Sequence, residues 1–138
     1  MPDFSNVAAA LIAKLEGDAT LMALMTGGVY RDVAKSGKTK FVIVSFISGI
    51  DTYVFEGSAL EEHLYLVKAV SQDSSGLDVK TAAARIHTLL QDVQLTITGY
   101  SHQLTRREEP IAYTEIDGVD NAISWQHRGG RYRVVVSP

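Results

Sequence analysis

The fold is decided around a short basic loop, Ala34-Lys35-Ser36-Gly37-Lys38-Thr39-Lys40-Phe41-Val42-Ile43-Val44. Two amphipathic helical patterns precede this loop, and an apolar strand pattern follows it directly. A phosphate-binding loop requires the opposite order, a strand before it and a helix after it, so that the helix N-terminus meets the phosphates. In addition, Asp32 stands where the upstream glycine of such a loop belongs. The sequence therefore predicts a polar connecting loop here and no nucleotide site.

Toward the N-terminus, apolar residues recur at spacings of three and four across residues 4–15, which predicts an amphipathic helix. Asp3 or Ser5 can cap this helix, since a short side-chain oxygen satisfies an orphaned amide. A second, shorter helix is expected over residues 18–25, with Asp18 as its cap. Gly27-Gly28 then supplies the positive-φ stop.

Toward the C-terminus, residues 41–47 are β-branched and aromatic, which predicts a strand buried on both faces. Residues 60–71 alternate as a long second strand. A third helix is expected over residues 77–91, with Ser74 or Ser75 as its cap. Its apolar face includes an alanine-rich stretch that permits close packing on a sheet.

The last third of the chain contains several extended patterns: residues 95–104 bent near Gly99, residues 111–116, residues 123–127 and residues 132–136. Pro110 marks the start of the second pattern or an edge strand. Gly129-Gly130 separates the last two patterns, either as a hairpin turn or as a kink within one long strand. The element order predicts one α+β domain over residues 1–138, a mixed or antiparallel sheet of about four to six strands. Two N-terminal helices and one central helix are expected to pack on that sheet.

Composition excludes several classes of function. The 138-residue chain has a net charge of −3 and no cysteine, which removes disulfides, thiolate chemistry and cysteine zinc sites. A large sequence-independent nucleic-acid surface would need a basic excess. The only basic cluster, Arg31, Lys35, Lys38 and Lys40, is interpreted as a solvated loop in preference to a phosphate-tracking patch. The sequence predicts neither a membrane span nor a secretory signal.

No catalytic constellation is recognisable in the sequence. The four histidines at positions 63, 87, 102 and 127 fall on different elements, and each is predicted to be a surface or half-buried residue. The pairs Glu61-Glu62 and Glu108-Glu109 lie on strands, where neighbouring side chains point to opposite faces. Neither pair can therefore form a two-carboxylate site by itself. The expectation is a protein without enzymatic activity, cofactor or metal.

The connection over residues 48–59 is the candidate interaction site. It holds Tyr53, Val54 and Phe55 between Gly49 and Gly57, in what is predicted to be a loop or hairpin tip. Three bulky apolar residues at such a tip either pack back on the core of the same subunit or contact another chain. We interpret Tyr53, Val54 and Phe55 as a subunit interface.

The whole pattern resembles the tail-completion, or tail-terminator, proteins of tailed bacteriophages and prophages. The resemblance covers roughly residues 7–136 and is carried by diffuse features rather than by one motif. These features are the opening helix, the short second helix with Leu21, Leu24 and Met25, Gly28-Val29-Tyr30, Phe41-Val42-Ile43-Val44, Leu64-Tyr65-Leu66-Val67, Ile86-His87-Thr88-Leu89-Leu90 and Tyr132-Arg133-Val134-Val135-Val136.

The resemblance implies a structural protein of the virion, assembled in the cytoplasm of the bacterial host. Such proteins form rings, usually hexamers, that cap the tail tube and join it to the head connector, while DNA passes through the lumen without specific binding. The implied partners are other copies of the chain, the tail tube protein and the head-closure protein. Two alternatives remain: a head-closure or connector adaptor of the neck, and a small-ligand or regulatory binding module, which a concave apolar pocket with convergent polar groups would favour.

Overall fold

Three helices cover one face of a mixed sheet in the computed structural model, which describes residues 3–55, 57–73, 75–120 and 122–138. The helices are α1 (Ser5–Glu16), α2 (Ala19–Leu24) and α3 (Leu77–Leu90), and the strands are β1 (Val29–Arg31), β2 (Lys40–Val54), β3 (Gly57–Ser71), β4 (Ser101–Ile116) and β5 (Ser124–Ser137). The five strands lie in the order β1-β2-β3-β5-β4. Only β1 and β2 are parallel among these described pairs. The predicted α+β class is confirmed.

One hydrophobic core lies between the helices and this face of the sheet. From the helices it receives residues at the predicted spacing, such as Leu11, Leu15 and Ile86, all fully buried. From the sheet it receives alternate residues of the three central strands: Val42, Val44, Tyr65, Val67, Ala69, Tyr132, Val134 and Val136. The alternation brings these side chains to one face because successive strand residues point to opposite sides. No described helix is long and apolar enough to cross a membrane.

Of the three predicted helix N-caps, one is confirmed by the structure. Asp18 caps α2 as predicted, because its Oδ2 accepts a hydrogen bond from the Leu21 amide at 2.9 Å. At α1 the prediction is wrong by one position: Phe4 is the N-cap residue, and Asp3 instead accepts from the Ser5 amide just before the helix.

At α3 the N-cap position belongs to Gly76, which has a φ of 70°. The predicted cap Ser75 lies one position earlier, although its hydroxyl still accepts a hydrogen bond from the Leu77 amide at 3.3 Å. The other predicted cap, Ser74, lies outside the described residues. A left-handed backbone at the cap favours glycine because it has no Cβ.

The first two long strands extend far beyond their predicted bounds. β2 continues through the segment 48–54 that was predicted to be a loop, and β3 begins at Gly57 instead of residue 60. Pairing between the two strands persists from Lys40↔Ser71 to Val54↔Gly57, with register shifts between Phe46 and Ser48 and between Thr52 and Tyr53. Such irregularities absorb an extra residue without ending the ladder. Polar and glycine residues suggested a loop, but cross-strand hydrogen bonds hold the segment as a strand.

The C-terminal strands are also longer than predicted. Residues 101–116 form one strand, β4, instead of two, and Pro110 is tolerated because β4 is an edge strand. Residues 95–97 form no strand and contribute only an isolated bridge between Ile97 and Tyr100. Of the two alternatives for Gly129-Gly130, the structure shows one continuous strand, β5. A Cβ at Gly129 would lie only 2.1 Å from the Val67 carbonyl oxygen, so the close approach of β3 requires glycine there.

Candidate assembly surface

The β2–β3 hairpin projects beyond the sheet as a two-stranded arm, which we define as residues 50–61. β5 pairs with β3 only as far as Glu61, and β1 pairs with β2 only over Val42–Val44. Beyond those points the two strands of the hairpin pair only with each other among the described residues. The arm is therefore held at its base by the sheet and presents its distal faces to the surroundings.

The predicted interface residues lie together at the end of this arm. Tyr53 is 69% exposed, Val54 is 59% exposed and Phe55 is fully exposed. Ile50 and Leu60 extend the apolar surface toward the base, also as exposed residues. None of these side chains belongs to the core cluster. Several exposed apolar side chains within one short segment are typical of a protein–protein contact site.

The arm is acidic as well as apolar. Residues 50–61 contain three acidic residues and no lysine or arginine. On the arm itself, the Tyr53 hydroxyl donates a hydrogen bond to Asp51 Oδ2 at 3.3 Å. The Asp51 carboxylate raises the pKa of the Tyr53 phenol, with a smaller contribution from Glu61. The exposed Asp51 therefore places a negative charge on the surface of the arm.

A buried polar cluster lies at the base of the arm. Glu61 and His63 are only 4% and 3% exposed, and Glu61 Oε1 lies 3.1 Å from His63 Nε2. The Tyr100 hydroxyl donates to the same oxygen at 3.0 Å, and burial together with this bond raises the Tyr100 pKa. Phe4 and Phe46 pack their rings about 6.0 Å from the imidazole. This cluster ties the arm to the N-terminal helix region and to the segment before β4.

The burial of this cluster corrects two sequence predictions. His63, and also His127 at 8% exposure, were predicted to be surface or half-buried residues, and both are buried. Aromatic neighbours that are distant in sequence cover them: Phe4 and Phe46 for His63, and Tyr113, stacked at 4.3 Å, for His127. His87 and His102 are half-buried as predicted.

The Glu61-Glu62 pair follows the predicted alternation, whereas the prediction is wrong for Glu108-Glu109, because a register shift in β4 between Arg107 and Glu109 brings both carboxylates to the same face. Glu61 is buried while its neighbour Glu62 is half-exposed, as expected for alternating strand residues. Glu108 and Glu109 form ion pairs with Arg133 and Arg131 respectively. The described residues contain no group of three or more potential metal ligands. The cluster at the base of the arm contains one carboxylate, that of Glu61.

A second surface feature lies on the opposite side of the subunit, between α3 and the strands β4 and β5. It is a groove of about 730 Å³ whose lining residues are Lys80, Ala83, Ala84, His87, Thr88, Arg107, Pro110, Ile111, Ala112, Arg128 and Gly129. We call it the basic groove, because three of these residues are permanently charged and none of its described lining residues is acidic. Burial and then the nearby Arg107 charge lower the pKa of His87.

Sequence reasoning did not find the basic groove, because its three cations come from separate elements. Lys80 lies on α3, Arg107 on β4 and Arg128 on β5. The one available signal was the alanine-rich stretch of α3, which leaves room beside the helix. The cross-strand pair Ala112↔Arg128 then places the β5 cation next to a small neighbour.

The basic loop around Gly37 leads directly into β2. Gly37 adopts a φ of 87° in the turn, and the element that follows directly is the strand β2, not a helix N-terminus. Lys35 and Lys38 are exposed, whereas Lys40 reaches across to pair with Asp78 of α3. The Asp78 hydrogen bond raises the Lys40 pKa. Within the basic cluster, Lys35 and Lys38 therefore face solvent, whereas Lys40 forms a structural ion pair.

Comparisons with known proteins identify a family model and solved structures that resemble this chain. Residues 9–122 match the family described as Tail completion protein gp17. A chain from the virion of a native gene transfer agent particle superposes with a TM-score of 0.72 at 17% identity, covering 99% of this chain and 100% of that one. Another solved chain gives a TM-score of 0.57 at 13% identity, covering 97% and 96%. At these identities the likenesses establish the fold. No curated protein matches the chain.

Proposed function

Because the chain belongs to the Tail completion protein gp17 family, we propose that it is a tail terminator. The family consists of structural bacteriophage virion proteins and is not known as an enzyme family. In this proposal identical subunits form a ring, usually of six, that caps the tail tube and joins it to the head connector. The protein then resides in the tail or neck of the virion, after assembly in the host cytoplasm.

The observation that supports a ring is the exposed arm. Tyr53, Val54 and Phe55 are exposed and lie outside the core cluster of their own subunit, which supports a contact with a partner subunit. Burying one aromatic side chain of this size contributes roughly 1.5–3 kcal/mol. In a ring the same contact repeats at every interface. A head-to-tail contact that closes on itself also limits assembly to a defined number of subunits.

The charge distribution agrees with a lumen that passes DNA without retaining it. The net charge is −3, and two of the three arginines of β5 form ion pairs. Arg131 pairs with Glu109 at 2.9 Å, and Arg133 pairs with Glu108. Paired guanidinium groups release few counterions from DNA, so sequence-independent affinity at physiological salt is expected to be weak.

The test is the length of tail tubes assembled from purified tail tube protein with and without this chain. We expect added protein to stop growth at one tube end and electron micrographs to show a ring there. Tubes of unchanged length would contradict the terminator proposal. If the chain instead binds the portal or connector and leaves tubes unaffected, it acts as an adaptor of the neck.

A further inference from the structure

We propose that the arm of one subunit inserts into the basic groove of the next subunit, so that these two features together form the ring contact. This inference rests on the proposed ring-forming function and names the two surfaces that meet at each contact in the ring. The partner is therefore a second copy of this chain. Three independent properties of the described residues support this pairing: charge, shape and position in the sheet.

The charges of the two surfaces are complementary. The arm contains three acidic residues and no basic one, with Asp51 exposed and Glu61 buried at the base, whereas the groove has Lys80, Arg107 and Arg128 and no described acidic lining residue. Two like-charged surfaces would repel, but these attract and set a single orientation. The His87 pKa is lowered partly by Arg107, which is consistent with an excess of positive potential in the groove.

The shapes are complementary as well. The arm ends in bulky side chains, with Phe55 fully exposed, whereas the groove has a floor of small or apolar residues that include Ala83, Ala84 and Ile111. A continuing cavity of about 470 Å³ reaches the exposed Leu77 at the start of α3. Small residues leave room for an aromatic ring. Arginines at the rim can also stack on such a ring through cation–π contacts.

The topology places the two surfaces on opposite sides of the subunit. The arm leaves the sheet where Glu61 pairs with Val136 near the end of β5, whereas the groove is lined by Arg128 and Gly129 near the start of β5 and by the edge strand β4. A contact between different surfaces of identical chains is heterologous and propagates head to tail until it closes. A contact between two arms would instead be isologous and would stop at a dimer. The observed placement is the one that a ring requires.

The absence of cysteine from the chain provides a direct experiment. A variant with Phe55→Cys and Ala84→Cys places one thiol at the arm tip and one on the exposed groove wall of α3. After assembly on tail tubes, treatment with a short bismaleimide should link neighbouring subunits into a ladder that ends at the ring size. Each single variant is one control. The pair Phe55→Cys and Val33→Cys, which uses an exposed residue outside the groove, is the matched control.

Charge reversal gives a second, independent measurement. Lys80→Glu and Arg128→Glu change exposed residues, so circular dichroism should show an unchanged fold. Subunit association measured by sedimentation should weaken at least about tenfold. The same reversals at Lys35 and Lys38, exposed residues of the loop before β2, should have little effect. Adding Asp51→Lys to Lys80→Glu should restore part of the association.

The outcomes separate this inference from the proposed function. Capped tubes with a cross-linked ladder only in the Phe55–Ala84 pair support the groove contact. Capped tubes without such a ladder, or with an equal ladder in the Val33 pair, overturn it while the terminator function stands. If tubes are never capped, the proposed function fails and the groove contact fails with it.

Discussion

Phe55→Asp is the substitution for which the structure makes the sharpest prediction. Phe55 is fully exposed in the subunit, so its replacement should change the free energy of unfolding by no more than about 0.5 kcal/mol. Loss of its burial at a subunit contact should cost roughly 1.5–3 kcal/mol. That range corresponds to an association constant roughly ten to a hundred times weaker at each contact. The new carboxylate adds a desolvation cost in the same direction.

The assay combines two measurements on wild type and variant. Thermal melts followed by circular dichroism report the fold, and sedimentation velocity over a concentration series reports association, with tube capping as the functional readout. Val119→Asp is the matched control, because Val119 is 99% exposed in the turn between β4 and β5. If Phe55→Asp unfolds the subunit, Phe55 belongs to the core. An equal loss of association in the Val119 variant would show a general charge effect.

Four further predictions concern the subunit itself. Asp18→Ala should destabilise the fold by about 1 kcal/mol through loss of the α2 cap, whereas Asp18→Asn should retain the cap and lose only the ion pair with Arg85. The Arg85 hydrogen bond lowers the pKa of Asp18 to about 2, below its unfolded value of 3.8. The stabilisation by this ion pair should therefore be present above pH 3.8 and be lost as the pH falls toward 2. Measurement of the free energy of unfolding over this pH range checks the prediction. Gly129→Ala should cost about 3 kcal/mol or more in urea unfolding because of its clash with β3, while Gly118→Ala, with open space around its Cβ, should be neutral. Calorimetry with ATP and magnesium should give no binding heat, and micromolar binding abolished by Lys38→Ala would contradict the loop assignment.

Much of the fold follows from local patterns in the sequence. The spacing of Leu11 and Leu15 predicts the buried stripe of α1, and Asp18 predicts the start of α2. The order of elements around Gly37 predicts a connecting loop without reference to any contact, because helix and strand periods are local properties. The same local reasoning placed Tyr53, Val54 and Phe55 at a loop or hairpin tip, and the structure shows that all three are exposed. Their role at an interface stays a prediction.

Tertiary structure decided the features that depend on partners distant in sequence. β2 continues past Gly49 and Asp51 because β3 supplies cross-strand hydrogen bonds that no local propensity indicates. Glu61 and His63 are buried because Phe4 and Tyr100 cover them from other parts of the chain.

The basic groove also depends on residues that are distant in sequence. It exists only because folding brings Lys80, Arg107 and Arg128 together from one helix and two strands. The sequence by itself determined the periods, the caps and the order of the elements, since these arise within a few residues of the backbone. Strand length, burial of polar groups and the assembly of charged surfaces required the folded chain, because each depends on which distant residues become neighbours.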